Sequence, residues 1–371
     1  MKAREKFVEY VKHGGSEPFV SFQIGAGAGF DCKLVGKEWV SEGTIDDTIQ
    51  AYQIVECEPL FNVCLPEFGL MVPELAWQDS FESTDSERII SRLLETPYGT
   101  IHWKLKEQKK HGTTPIIYPL TSDSANVFRI VDWYVQQYGK SVKYMSELIG
   151  PLLEKVHSYG PVSIQWNIQP FELMGLLSVD NLVLLAMLEP QQYRKTCNLI
   201  RDINIDVIKA VFACDTDFIF LGAPGVEMLS PRIYEEFIIP DSQMITQAVH
   251  DVKGLVYSHI CSPIEPFLSN GYYNRMGIDL FETLSPPPVG NVPDLAKARK
   301  ILNPQMCTRG NIGLDVLLTG TTEQVEMETL RVLEATRGAK HMVAASDYLF
   351  YDIPLENVKA SVQTVRKYKN R

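Results

Sequence analysis

The sequence contains no run of about 18 apolar residues, the length that a membrane-spanning helix requires. It also has little clustered positive charge, since its densest basic stretch is KEQKKH at 106–111 and the net charge of the 371 residues is −11. Proteins that bind nucleic acid normally carry a basic surface. We therefore expect neither nucleic acid nor a membrane as a partner.

The first residues, MKAREKFVEYVKHGG, lack the apolar core of a signal peptide and have the pattern of an amphipathic helix. This predicts an N-terminal helical extension and a cytoplasmic protein. The seven cysteines are scattered and odd in number, which argues against a disulfide framework in the cytosol. Most are expected to be small buried hydrophobic residues, with one or more left as candidate metal ligands.

Short apolar runs rich in β-branched and aromatic residues alternate with turns and helical stretches, a pattern typical of βα units and a parallel sheet. The predicted strands number eight, as a closed (β/α)8 (TIM) barrel needs. They cover residues 18–24, 60–65, 161–167, 217–221, 254–259, 277–283, 306–311 and 341–345. We predict one barrel domain over residues 1–371, with an insert at about 75–160 that contains a polar helical stretch and packs over one end of the barrel.

His259 and Cys261 lie two residues apart at the carboxyl end of a predicted strand. Side chains i and i+2 share a strand face, so both can point toward the barrel axis, and barrel active sites lie at this end. An imidazole and a thiolate on one face are a good pair of zinc ligands. Alone, the H-x-C pattern is weak evidence for a metal site and better fits a buried cysteine beside a hydrogen-bonded histidine.

Two acidic residues strengthen the metal interpretation. Glu282 ends the next predicted strand, 21 residues after Cys261, and Asp347 follows the last one. Carboxylates at strand ends can reach the same ion. Cys307, at the start of its strand, is expected lower in the barrel as a core thiol.

Three further polar residues are candidates for substrate binding. Gln165 and Asn167 share a strand face, with Trp166 between them pointing outward into the core. Tyr348 belongs to an aromatic group after the last strand, which lines a pocket or packs under the terminal helix.

Several segments of the chain resemble the uroporphyrinogen decarboxylase superfamily, most clearly from about residue 160 onward. The segments that carry this resemblance are GAPGVEMLSPRIYEEFIIP, HICSPIEPFLSNGYYNRMGIDLFETLSPPPVGNVPDLAKARKIL, TRGNIGLDVLLTGTTEQVEMETLRVLEA and DIPLENVKA. The resemblance implies a (β/α)8 barrel. It also implies one of two chemistries, because the superfamily has a metal-free decarboxylase branch and a corrinoid-linked methyltransferase branch.

The decarboxylase branch holds substrate carboxylates with arginines in an N-terminal segment and uses an aspartate near the second strand. In this sequence residues 14–32 contain neither arginine nor lysine, and FNVCLPEFG has no aspartate. The chain has other arginines, but none replaces the missing N-terminal arginines: Arg92, Arg129, Arg232 and Arg309. These absences count against the decarboxylase branch. A metal-free decarboxylase of a tetrapyrrole is kept as the alternative function.

The other branch includes methylcobamide:coenzyme M methyltransferases and some aryl O-demethylases, whose zinc is held by H-x-C and a distant cysteine. His259 and Cys261 match the first two ligands, whereas the distant cysteine aligns with Asp347. Glu282 resembles a glutamate of cobalamin-independent methionine synthase in spacing and strand position. The resemblance thus implies a Zn²⁺ site of His259, Cys261, Glu282 and Asp347, with the first three as catalytic residues.

In this branch zinc either holds a thiol as thiolate or polarises the oxygen of a methoxy substrate. The methyl group moves to or from the corrinoid (cobalamin) of a partner protein. We expect a methyltransferase that acts with a corrinoid protein. Its substrate is a small thiol, or a methoxy compound that undergoes O-demethylation. Replacing a thiolate by Asp347 leaves a harder ion and favours oxygen substrates. A non-catalytic binding subunit is the second alternative, and the change to Asp347 is the feature in its favour.

Overall fold

The computed structural model describes residues 2–25, 27–38, 43–65, 75–108, 116–118, 126–166, 170, 179–222 and 229–368. Eight parallel strands form its central sheet, in the order β1-β12-β11-β10-β9-β8-β7-β2. Their bounds are β1 Phe19–Val20, β2 Phe61–Cys64, β7 Val162–Gln165, β8 Phe218–Phe220, β9 Leu255–Ile260, β10 Leu280–Thr283, β11 Cys307–Ile312 and β12 His341–Ala345. All eight predicted strands are confirmed, most of them shorter than the sequence suggested.

The two end strands of this order, β1 and β2, are not register partners, but hydrogen bonds between the segments beside them bring the ends of the (β/α)8 sheet together. The Glu58 amide donates to the Val20 carbonyl at 3.0 Å. The Tyr52 hydroxyl lies 3.1 Å from the Phe22 carbonyl and 3.0 Å from the Leu60 carbonyl. One buried phenol therefore contacts the backbone just after β1 and just before β2.

Helices surround the barrel and follow most of its strands. They are α1 Ala3–His13, α2 Phe30–Leu34, α3 Ile45–Val55, α4 Val127–Gly139, α5 Met145–Val156, α6 Val179–Leu188, α7 Pro190–Phe212, α8 Pro231–Ile233, α9 Ile239–Asp251, α10 Tyr272–Arg275, α11 Leu295–Ile301, α12 Leu314–Thr319, α13 Thr322–Ala335 and α14 Leu355–Tyr368. A 3-10 turn at Lys140–Tyr144 joins α4 to α5, and a π-helical turn at Tyr234–Ile238 joins α8 to α9. None of the helices in the described part of the chain has the length and apolar composition that spanning a membrane requires.

Strand alternation divides the apolar side chains into two cores. The outer core lies between strands and helices, and the inner one fills the lower barrel. The inner core consists of Phe7, Tyr10, Val11, Phe19, Leu60, Phe218, Phe220, Leu255, Tyr257, Leu280, Cys307 and Met342. Three of these come from α1, so the N-terminal extension closes the amino end of the barrel. Cys307 is a buried core thiol there, as predicted.

The segment between β2 and β7 contains an antiparallel sheet that the sequence analysis did not predict. Its strands are β3 Gln78–Ser83, β4 Glu87–Thr96, β5 Gly99–Gln108 and β6 Ile116–Tyr118. This sheet packs on α4, where the rings of Trp77 and Tyr134 are 6.0 Å apart. The helical part expected in this segment is present as α4 and α5, and Lys106, the first residue of the basic stretch, belongs to β5.

Candidate metal centre

Three neighbouring strands place a row of charged side chains across the barrel interior. Glu282 on β10 is in register with His259 on β9 and with Arg309 on β11. Residues in register on parallel strands point to the same face, so the three side chains are lateral neighbours. All three are almost completely buried.

His259, Cys261 and Asp347 form the one group of three potential metal ligands among the described residues. Their ligand atoms all lie within 4.8 Å of one another. The Nε2 of His259 is 3.2 Å from the Oδ1 of Asp347. This oxygen also accepts a 2.7 Å hydrogen bond from the Tyr348 amide, which orients the carboxylate. Three of the four predicted ligands are therefore brought together.

Glu282, the fourth predicted ligand, is not in this group, and its assignment as a metal ligand stays a prediction. Its Oε1 accepts from the Tyr257 hydroxyl and, at 2.7 Å, faces Nδ1 of His259. Its Oε2 accepts from Arg309 and, at 2.7 Å, from Nε2 of Gln23. With both oxygens engaged by these partners, Glu282 is placed to orient His259.

Charges around the histidine set the ionisation of this group. Burial alone would raise the pKa of Glu282, but Arg309 and His259 outweigh it and lower this pKa to about 2. Burial alone would lower the pKa of His259, but Asp347, Cys261 and Glu282 raise it well above its usual value. An ionised Glu282 is an acceptor only, so it holds a hydrogen on Nδ1 of His259. The Nε2 atom is left facing Asp347.

The predicted substrate-binding residues have different outcomes. The Tyr348 ring packs 5.0 Å from the His259 ring, and its hydroxyl accepts from Asn62 Nδ2 at 2.8 Å. Gln165 ends β7, where its Oε1 lies 3.8 Å from the Cys64 thiol. Trp166 points outward as predicted and donates to Asn204 at 3.1 Å. Asn167 lies outside the described residues.

Four polar residues beside the site were missed as functional candidates: Gln23, Asn62, Tyr257 and Arg309. Arg309 had been considered only as a substrate clamp, whereas it is buried against Glu282, Tyr257 and Ser21. The signal for the others is a polar residue inside an apolar strand, as in PFVSFQI and LFNVCL. Which of them meet depends on strand register, which the sequence alone does not supply.

These observations define a (β/α)8 barrel with a candidate metal centre at the carboxyl ends of its strands. Residues 109–368 match the family Uroporphyrinogen decarboxylase (URO-D). This match covers well over half of the chain, which therefore belongs to the uroporphyrinogen decarboxylase family.

Individual relatives are distant. A uroporphyrinogen decarboxylase of Prochlorococcus marinus is 23% identical over 250 residues, covering 65% of this chain and 68% of the relative. One of Synechocystis sp. is 22% identical over 261 residues, covering 68% and 71%. Among solved structures, a methyltransferase from Methanosarcina mazei shares the fold with a TM-score of 0.66 and 16% identity, covering 99% of both chains. At this identity the structural likeness establishes the fold alone.

Proposed function

We propose that this protein is a zinc-dependent methyltransferase. It moves a methyl group between the corrinoid of a partner protein and a small thiol or methoxy substrate. The observation that carries the proposal is the cluster of His259, Cys261 and Asp347 at the carboxyl ends of the strands, where barrel enzymes act.

The donor set fits zinc. Imidazole nitrogen, thiolate and carboxylate oxygen are its ordinary protein ligands, and a catalytic zinc keeps a fourth position for substrate. Glu282 behind Nδ1 of His259 supplies the carboxylate that usually orients a zinc-bound histidine. His259, Cys261 and Asp347 would hold the ion. When bound, it would supply Lewis-acid chemistry to the substrate heteroatom.

The residues of the chain favour an oxygen substrate. Asp347 stands where the resemblance places a second thiolate, so the ligand set contains one sulfur and is harder. Tyr348 covers one side of His259 and limits the access of water to that side. A methoxy compound, demethylated at oxygen, is therefore the preferred substrate class, and thiols are the second.

Family membership favours decarboxylation of a tetrapyrrole as the second candidate, since both relatives named above carry that description. Such a substrate bears several carboxylates and needs cationic partners. Residues 14–32 contain no arginine or lysine, and Arg309 is already engaged by Glu282. These features support methyl transfer over decarboxylation.

The test measures three activities on one preparation: methyl transfer from methylcobalamin to thiols, demethylation of methoxyarenes by cob(I)alamin, and decarboxylation of uroporphyrinogen. We expect demethylation that is lost with a chelator, restored by zinc and abolished in Cys261→Ala. Cys214→Ala is the matched control, because Cys214 is also partly buried but lies outside the cluster. Chelator-resistant decarboxylation without methyl transfer would contradict the proposal.

A further inference from the structure

Three buried polar atoms, one just after β1 and two on the neighbouring strands β2 and β7, have no hydrogen-bond partner within the described ranges. They are Oε1 of Gln23 just after β1, Oδ1 of Asn62 on β2 and Oγ of Ser163 on β7. Gln23 is 1% exposed and Ser163 is 0% exposed. Buried polar atoms are nearly always hydrogen-bonded, so a group of three that is not calls for a ligand or ordered water.

All three side chains point into the barrel. The residues on either side of each belong to the outer core: Phe22, Ile24, Phe61, Val63, Val162 and Ile164. Because side chains alternate along a strand, Gln23, Asn62 and Ser163 face the interior. Asn62 and Ser163 are also register partners, so their side chains are adjacent.

The hydrogen bonds of the two amides show which end of each is left over. A carboxylate only accepts, so Gln23 must turn Nε2 toward it and keep Oε1 free. Asn62 donates Nδ2 to the Tyr348 hydroxyl at 2.8 Å, which leaves its Oδ1 without a partner among the described residues. Both unpaired amide atoms are therefore acceptors.

Tyr348 links these atoms to the candidate metal centre. Its hydroxyl contacts Asn62, and its ring packs against His259. A small molecule bound between the two groups would have one end at the cluster and the other against neutral acceptors. Arg309 is engaged with Glu282, Tyr257 and Ser21, so it adds no cation to this wall.

We propose that Gln23, Asn62 and Ser163 form a substrate subsite that recognises a hydroxyl or amine hydrogen-bond donor and disfavours a carboxylate. This inference rests on the proposed function and narrows its substrate class. The substrate is a small neutral or cationic compound with an O–H or N–H group a few bonds from the atom that carries the methyl group.

Three probes with one skeleton test the subsite: 2-methoxyethanol, 1,2-dimethoxyethane, in which the donor is capped, and methoxyacetate. Binding to the full chain is measured by ligand-observed NMR, with and without zinc. The variants are Ser163→Ala and the matched control Ser258→Ala. Both serines are fully buried with an unpaired hydroxyl, but Ser258 lies between the inward-facing Tyr257 and His259 and faces outward.

We expect 2-methoxyethanol to bind best. Ser163→Ala should weaken it about three- to tenfold, the effect of one neutral hydrogen bond, and Ser258→Ala should leave it unchanged. Equal binding of the capped ether or of methoxyacetate, or equal effects of the two variants, would overturn the subsite. If zinc fails to bind but the hydroxyl preference persists, the proposed function fails and the subsite stands. If zinc binds but the hydroxyl preference is absent, the subsite fails and the proposed function stands.

Discussion

At the scale of single residues, Glu282 organises the site. It accepts hydrogen bonds from Gln23, Tyr257 and Arg309 and faces Nδ1 of His259. A buried carboxylate with this many partners stays ionised and fixes the orientation of each donor. Its role is thus to present Nε2 of His259 on the side of Cys261 and Asp347.

Glu282→Gln should weaken zinc binding by about 10- to 100-fold, because the amide has one acceptor oxygen where the carboxylate has two. Competition with a chromophoric chelator measures this affinity. Asp241→Asn is the matched control, since Asp241 is also buried and paired with arginines, Arg194 and Arg201, away from the site. Equal zinc affinity in parent and Glu282→Gln would remove the positioning role.

Asp347 determines the hardness of the proposed zinc. Asp347→Cys should tighten zinc binding and raise the ratio of thiol to methoxyarene activity, because a second thiolate makes the ion more electron-rich. Steady-state rates with both substrate classes give the ratio. Asp352→Cys, at an exposed neighbouring position, controls for an added thiol. An unchanged ratio in Asp347→Cys would refute this explanation of substrate preference.

At the scale of elements, α1 closes the amino end of the barrel. Phe7 makes edge-to-face contacts with Phe19 of β1 and Phe218 of β8, with ring centroids 5.6 and 6.0 Å apart. Arg4 adds an ion pair with Asp217 beside β8. The helix therefore joins strands that are distant in sequence.

Phe7→Ala should lower the free energy of unfolding by about 3–5 kcal/mol, as expected for a large aromatic removed from a core. Urea titration followed by circular dichroism measures the change. Phe81→Ala on β3 removes the same side chain from a 60% exposed position and should be nearly neutral. Zinc affinity should be the same in both variants, and a selective loss in Phe7→Ala would contradict a purely structural role for α1.

His341 begins β12 and is buried in a neutral form. Its Nε2 donates to the Gly310 carbonyl at 2.9 Å, and its Nδ1 accepts from Thr308 at 2.8 Å. Burial is the main cause that lowers its pKa to about 3, from a usual value of 6.5. The unfolded chain takes up a proton below pH 6.5 that the folded chain refuses, so stability is lost as the pH falls toward 3.

His341→Asn should therefore flatten the acid side of the stability profile by up to about 1.4 kcal/mol per pH unit between pH 6 and 4. Urea unfolding at several pH values gives both slopes. The slope is compared rather than the absolute stability, because the substitution itself disturbs a buried position. Parallel profiles for parent and variant would show that His341 titrates normally in the folded protein.

Strand runs such as GLVYSH and HMVAA are apolar enough to be identified from the sequence, so the barrel could be predicted. The antiparallel sheet was missed: β3 is exposed along its whole length and QDSFES carries no apolar alternation, although IHWKLK in β5 does alternate. Spacing correctly placed Glu282 at a strand end near His259. It could not show that Arg309, one strand further, holds this carboxylate below the ligand cluster.

At the scale of the whole molecule, the two ends of the barrel differ in chemistry. The amino end is closed by α1 and the inner core, beside a surface cleft of about 690 Å³ lined by residues of α1, α13 and the segment before β12. The carboxyl end carries the cluster of His259, Cys261 and Asp347 and, across the interior, the unpaired acceptors of Gln23 and Asn62. The packing that closes the barrel therefore lies at its amino end, and the candidate metal centre lies at its carboxyl end.

The central claim is that this barrel holds a zinc ion between His259, Cys261 and Asp347. Elemental analysis of the full chain, purified without chelators, tests it most directly. We predict about one zinc per chain in the parent and in Cys214→Ala, and none in Cys261→Ala. A parent protein free of transition metals, or zinc retained in full by Cys261→Ala, would contradict the account.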